Sequence, residues 1–427
     1  MTTQTSPVTL SAEPAGLRPV QLGWLAGAVF VVSAGYGALM PLLPGWLATL
    51  LPGATATEIA RHSGFLSGVY AAGVLIGAPL WGVVSDRAGR SRILIIGLVG
   101  YVGSLLLMLI PGLNGLWGIY ALRGATGFFV AAVVPVVSAL VAEHTSEKQR
   151  ALQFAWLSAM SLLGFLFGPG LTAIADWVGP WAGEGAVPSA LSAPVVIVLS
   201  ALLGAVMMLG LARRLPASLA PDIAAQNNLV TSAEGRTAGL WWLSGAVMFV
   251  LAAFELGIVL QGQQHTGLSS RQVAMMFVEC SLVMLGINAL LFFTALLEKT
   301  SALRLMVVGL ILAMVGLAVL AQHRSEAWMY LGISLTSAGT GLVLPVIAYL
   351  AAGASRQKLG VTMGGLAAAA GFGQTLGSAV GGWLFGAFAQ RSFGWLTLPL
   401  VVMLILLLNR PSWWSVVPPN PPVTPLA

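Results

Sequence analysis

Long apolar stretches alternate with short polar interruptions along the whole chain. Runs near the roughly 20 residues that a helix needs to cross about 30 Å of hydrocarbon occupy 22–46, 64–84, 93–110, 116–141, 152–175, 192–211, 240–261, 273–297, 304–320, 328–352, 361–388 and 395–408. They are too long for strands and show no period-two alternation, so the expected element is a helix in every case. The gaps carry turn chemistry, as in Pro111-Gly112 and Gly179-Pro180. The pattern therefore predicts an all-α membrane protein with twelve transmembrane helices.

The longest polar gap, Ala212 to Gly239, holds Arg213, Arg214, Asp222, Glu234 and Arg236. It reads as a linker and divides the chain into a six-helix bundle over 22–211 and a second over 240–408. Residues 1–21 form an N-terminal tail without the basic start and short apolar run of a cleaved signal peptide. Residues 409–427 form a Pro-rich tail with no expected fold.

Composition agrees. Of 427 residues, 58% are hydrophobic and only 7% charged, against roughly 25% charged in a soluble domain. So few charges cannot cover a globule of this size, which excludes a water-soluble enzyme. The single cysteine, Cys280, excludes a disulfide framework and any Cys-based metal cluster. The net charge of +6 is placed to orient the chain in a membrane and is no sign of nucleic acid. With the N-terminus inside, Arg18, Arg87, Arg90, Arg92, Lys148, Arg150, Arg213, Arg214, Arg236, Lys299, Arg304, Arg356, Lys358 and Arg410 fall inside. Only Arg61, Arg271, Arg324 and Arg391 fall outside. The positive-inside rule then makes both termini cytoplasmic.

The halves repeat. VVPVVSALVAEHTSEKQ around Pro135 matches LVLPVIAYLAAGASRQK around Pro345, which sets Lys148 on Lys358 at an offset of 210. At an offset of 212, Asp86-Arg87 falls on Glu298-Lys299 and Arg92 on Arg304. Chance matching of apolar sequence is the alternative, but charged loop residues matching twice favour a true repeat. Paired repeats point to a transporter with its site at their interface.

Loop 2–3 reads Gly82-Val-Val-Ser-Asp86-Arg87-Ala-Gly89-Arg90-Ser-Arg92. Gly82 permits close helix approach and Gly89 a tight turn. Asp86, at a helix end, is placed to pair with a cation or a neighbouring helix N-terminus in one conformation only. The string resembles the G-x-x-x-D-R-x-G-R signature of the major facilitator superfamily. Span 4 carries Arg123-x-x-x-Gly127, similar to a second signature of proton-driven members. Span 5 carries Gly164-x-x-x-Gly168-Pro169-Gly170, which resembles the antiporter signature of exporters, with Thr172 and Ala173 where that signature ends in two glycines. Gly35-Tyr36-Gly37 and Pro41 to Pro44 in span 1 resemble the tetracycline and multidrug efflux branch. Span 1 has no acidic residue, whereas some members of that branch hold their proton site there.

A buried arginine costs at least a few kcal/mol at the bilayer centre, which makes Arg123 a functional candidate. It lies ~10 Å deep at 1.5 Å per residue, so snorkelling to the interface is the alternative. Glu255 in span 7 and Glu279 in span 8 each fall ~9 Å below the same edge, which puts three charges at one level. Burial favours the neutral carboxyl and a nearby guanidinium the charged one, so Glu255 facing Arg123 is the expected proton-coupling pair. A structural ion pair, or a protonated lipid-facing glutamate, is the alternative. Tyr36 and Phe254 are candidate cavity walls, with Trp24, Trp241 and Trp242 serving either there or as interface anchors. Glu255, Glu279, Cys280 and His265 lack a metal-binding spacing, so no metal or other cofactor is expected.

The resemblance implies spans 1, 4, 7 and 10 around a central cavity. It also implies a monomeric secondary transporter of the bacterial cytoplasmic membrane that exports small amphipathic molecules by alternating access, driven by the proton gradient. A dedicated metabolite, siderophore or metal-chelate transporter is the alternative. A membrane-embedded enzyme or receptor is disfavoured, because no catalytic triad, nucleotide loop or signalling domain is visible.

Overall fold

The computed structural model describes residues 17–144, 147–178, 188–215, 235–264, 268, 270–294, 296–323, 325–354 and 359–409. Most of the expected linker, 212–239, and of the expected tails, 1–21 and 409–427, lies outside these residues. The helices of the first half are α1 (Pro19–Leu39), α2 (Leu43–Leu50), α3 (Ala56–Ala88), α4 (Arg90–Leu107), α5 (Leu116–Val130), α6 (Val134–Glu143), α7 (Glu147–Val178) and α8 (Pro188–Arg214). Those of the second are α9 (Gly235–Gln264), α10 (Ser270–Phe293), α11 (Leu296–Lys299), α12 (Ala302–Gln322), α13 (Glu326–Ala354), α14 (Leu359–Phe388), α15 (Ser392–Trp395) and α16 (Thr397–Asn409). No strand occurs among the described residues.

Helix limits follow local chemistry. Thr55 caps α3 through a reciprocal capping box with Glu58. That helix ends at Gly89, whose φ of 95° suits a residue without Cβ. Spans 1 and 4 each break ahead of a proline, Pro44 and Pro135, which then lies in the first turn of the following helix.

Ten described stretches are long and apolar enough to cross a membrane. One of them, Gly364–Asn409, runs for 46 residues, twice a single crossing, and turns at Ala389 between α14 and α16. With the apolar Trp156–Thr172 stretch of α7, the crossings match the twelve spans of the sequence pattern. Large side chains such as Leu80, Ile96, Leu202 and Ile405 lie exposed, an apolar outer surface that lipid, not water, would solvate.

The packing repeats half by half. α1 lies on α7 as α9 lies on α14; α3 on α5 as α10 on α13; α4 on α8 as α12 on α16. Across the halves, α3 meets α14 and α7 meets α10. Without a hydrophobic drive between helices in lipid, close backbone approach at small residues is what holds them. Gly164 and Gly168 lie against the α1 backbone at Phe30 and Gly37, while Gly373 and Gly377 lie against the α9 backbone at Gly245 and Phe249. The two glycine pairs are 209 residues apart, close to the offset of the sequence repeat.

Among the described residues, α3 and α14 pack closely toward one end. Thr57 Oγ1 donates to the Gly386 carbonyl at 2.9 Å. A Cβ on Gly64 would sit 2.6 Å from both the Gly382 Cα and the Ser378 carbonyl oxygen. Leu75 still touches the position of Gly371 at 3.3 Å. Farther along, a Cβ on Gly82 or Gly364 would meet nothing within 4 Å. Among the described residues, α3 and α14 are therefore splayed at the end bearing the Arg87–Arg92 cluster, and the expectation that Gly82 serves a close helix contact is not met in this conformation.

Candidate functional site

Arg123 projects from α5 and is only 2% exposed, so the snorkelling alternative is wrong. Its guanidinium lies over two aromatic faces, with Cζ 4.7 Å from the Tyr70 ring centre and 5.8 Å from that of Tyr36. Such cation–π contacts offset part of the desolvation of a buried cation. Its Nε and Nη2 have no hydrogen-bond partner among the described residues. Arg123 forms no ion pair among the described residues. The direct Glu255–Arg123 pair expected from the sequence is thus absent here, because the tyrosine rings occupy the guanidinium's flank.

Tyr36 links the two charges. It stacks on Tyr70 at 5.0 Å and has Gln374 as a hydrogen-bonding neighbour and Glu255 within electrostatic range. From Tyr36 a row of rings continues through Phe165 at 6.0 Å to Phe277 at 5.9 Å. It starts on α3 and crosses α1 and α7 to reach α10 in the other half. Glu255 is the single half-buried residue in the otherwise buried stretch Val250–Gln261, so its carboxyl faces an opening between helices.

Glu279 is separate from Arg123. It is half-buried and accepts a hydrogen bond from Ser334 of α13. Cys280 beside it accepts a hydrogen bond from the Ser337 hydroxyl at its Sγ and lies within electrostatic range of both Glu255 and Glu279, which sets the two carboxyls in one region of the second half. Phe254 is fully buried against Phe393 at 6.5 Å. It is core packing and not a cavity wall, since no part of its side chain is left exposed. Trp24 covers Gly210 and Trp241 covers Gly365, while Trp242 is 68% exposed and suits interface anchoring.

In the α3–α4 turn, Asp86 pairs with Arg90 at 2.7 Å, and Arg90 Nη1 donates to Ser85 Oγ at 2.8 Å. Arg87 is exposed. In span 5, Gly164 and Gly168 seat α7 on α1, whereas a Cβ on Gly170 would make only ordinary contacts with Phe167 at 3.8 Å. Nothing is described of the Pro169 side chain, and His265 lies outside the described residues.

Sequence reasoning missed Tyr70, Tyr101, Phe165, Phe277 and Gln374. A signal existed for two of them: the chain has only six tyrosines, and three of these, Tyr36, Tyr70 and Tyr101, lie in the electrostatic neighbourhood of Arg123.

Comparison with known proteins accords with this architecture. One curated relative is the class B tetracycline resistance protein of Escherichia coli, 34% identical over 151 residues, which cover 34% of this chain and 35% of that protein. Another is the quinolone resistance protein NorA of Staphylococcus aureus, 27% identical over 143 residues, covering 34% of this chain and 35% of NorA. The chain thus spans about a third of the length of the curated relatives it matches. Among solved structures, the human organic anion transporter MFSD10 superposes with a TM-score of 0.69 at 18% identity over 92% of this chain and 100% of that one. The POT family transporter PepTSo gives 0.72 at 14% identity over 93% and 99%. These likenesses show the fold. The profile described as Major Facilitator Superfamily matches residues 25–290 and 263–426, and the chain belongs to that superfamily.

Proposed function

We propose that the protein exports small amphipathic molecules in exchange for protons, with the bundles 22–211 and 240–408 rocking about their interface. The observation that carries the reading is Glu255: a carboxyl without an ion-pair partner among the described residues, facing an opening where both halves meet at Tyr36. An acid held inside a membrane protein in such a place is a proton-relay candidate. The positive-inside count makes the splayed end cytoplasmic, with both termini inside a bacterial cytoplasmic membrane and the α3–α14 contact closing the outer end. The conformation described is then open to the cytoplasm.

In the cycle, Glu255 takes a proton while the outer end is open. It carries that proton inward when α3 and α14 close, and releases it to the cytoplasm as substrate binds. A two-unit swing in its affinity for the proton would correspond to about 2.7 kcal/mol, enough to bias the exchange. The span-5 resemblance to exporters and the printed names of the resistance relatives favour outward transport of drug-like aromatic compounds, with tetracyclines and quinolones the first to try.

The test is uptake of tetracycline and norfloxacin into inverted vesicles under an imposed pH gradient. Wild-type protein should concentrate substrate, and Glu255→Gln should abolish gradient-driven uptake while keeping downhill exchange. Gradient-driven accumulation by Glu255→Gln would remove Glu255 as carrier and leave Glu279 to be tested. Loss of uptake with gain of efflux from the same vesicles would reverse the direction.

A further inference from the structure

We infer that the Arg123 pocket binds the anionic group of the substrate, so that the protein prefers organic anions, carboxylates foremost, to neutral or cationic molecules of the same shape. The inference rests on the transporter reading above and adds the substrate's charge.

A guanidinium stays charged in any protein environment and carries five N–H donors in a fixed fork. Burying it without a counter-charge is costly, and buried donors are normally paired. Arg123 is buried at 2% exposure with Nε and Nη2 unpartnered. The tyrosine faces at 4.7 Å and 5.8 Å supply partial negative charge but no lone pair in the guanidinium plane. Nε and an Nη on one edge are the pair of donors that a carboxylate accepts in parallel.

A further donor lies nearby. The Tyr101 hydroxyl is buried, has no hydrogen-bond partner among the described residues, and is within electrostatic range of Arg123. It occupies the space that Gly35 leaves by having no side chain; a Cβ there would collide with it. Unpartnered polar groups on α5 and α4 thus lie in one neighbourhood with Tyr36, and the only acceptors among them are neutral phenol oxygens. The nearest membrane-embedded acid across Tyr36, Glu255, forms no pair with them. The aromatic row from Tyr70 to Phe277 supplies a flat apolar wall next to the cation, suited to an aromatic body attached to the anion.

The test compares three naphthalene probes of nearly equal size: 1-naphthoate, 1-naphthamide and 1-naphthylmethylammonium. Equilibrium binding is measured on the full chain in nanodiscs, in a gluconate buffer. Naphthoate should bind about tenfold or more tighter than the amide, as expected when charge-assisted hydrogen bonds are made to buried donors. Arg123→Gln should erase that preference, and Tyr101→Phe should reduce it severalfold. Arg123→Lys keeps the charge but loses the fork; it should keep the preference at lower affinity, and size-exclusion profiles check that each variant is folded.

Naphthoate binding no tighter than the amide, absence of binding by all three probes, or strongest binding by the ammonium probe overturns the proposal. If added chloride removes the naphthoate advantage, the pocket holds an inorganic anion and the organic-anion assignment falls. Equilibrium binding needs no flux, so failure here leaves the transport reading standing, and loss of gradient-driven flux with naphthoate preference intact does the reverse.

Discussion

Gly64→Ala should drive the protein out of the described conformation. In this state a Cβ at Gly64 would lie 2.6 Å from the Gly382 Cα and the Ser378 carbonyl oxygen and 2.9 Å from the Gly382 nitrogen. All three are backbone atoms and no flexible side chain can yield. Ordinary contact begins at 3.4 Å, so α3 and α14 must separate by about 0.8 Å at this end. Overpacking of this kind costs about 1–3 kcal/mol, which is roughly a fivefold to 150-fold shift between two conformations. The penalty vanishes once α3 and α14 part, so the substitution should populate the state in which this end is open. The assay is double electron–electron resonance with spin labels at Arg61→Cys and Phe388→Cys, both exposed positions at the closed end, in a Cys280→Ser background. Gly64→Ala should add or enlarge a longer-distance population. Gly103→Ala, where a Cβ meets nothing within 4 Å, should leave the distribution unchanged. An unaltered distribution in Gly64→Ala would refute the claim that this contact is the one that opens.

Two further substitutions separate gating from folding. Asp86→Asn removes the 2.7 Å pair with Arg90; the pair is partly exposed and should be worth no more than about 1 kcal/mol of stability, yet flux should collapse, so near-normal Tm with near-normal flux would end the gating role of Asp86. Gly168→Ala places a methyl against the α1 backbone at Gly37 and Ala38 and should lower stability by about 1–3 kcal/mol, read as a fall in Tm; an unchanged Tm would show that α7 and α1 do not depend on this contact.

Much of the fold was legible in the sequence because its causes are local. A membrane span needs length and apolarity, which are properties of a contiguous stretch, so twelve spans could be placed without knowing their neighbours. The repeat was visible at Pro135 and Pro345 because its matches include charged loop residues. Gly89 announced its turn, and the four-residue spacing of Gly164 and Gly168 is itself that of a close-packing helix face, because glycine's lack of a Cβ acts wherever it sits. Arg123 stood out because a charge in hydrocarbon is costly in any fold.

The tertiary structure decided what each intramembrane charge faces. Depth along a helix follows from counting residues, so Arg123 and Glu255 looked like partners at one level. Azimuth does not follow from counting: these helices are apolar on every side, and their lipid-facing and core-facing residues are chemically alike. The rotation that turns Glu255 to an opening and Phe254 into the core is fixed by glycine contacts with neighbouring helices, such as Gly377 against Phe249. The same long-range packing brings Tyr70 and Tyr101, which nothing in the hydrophobic pattern singled out, to Arg123. It also sets which end of the α3–α14 contact is closed, because that depends on two helices some 300 residues apart in the chain.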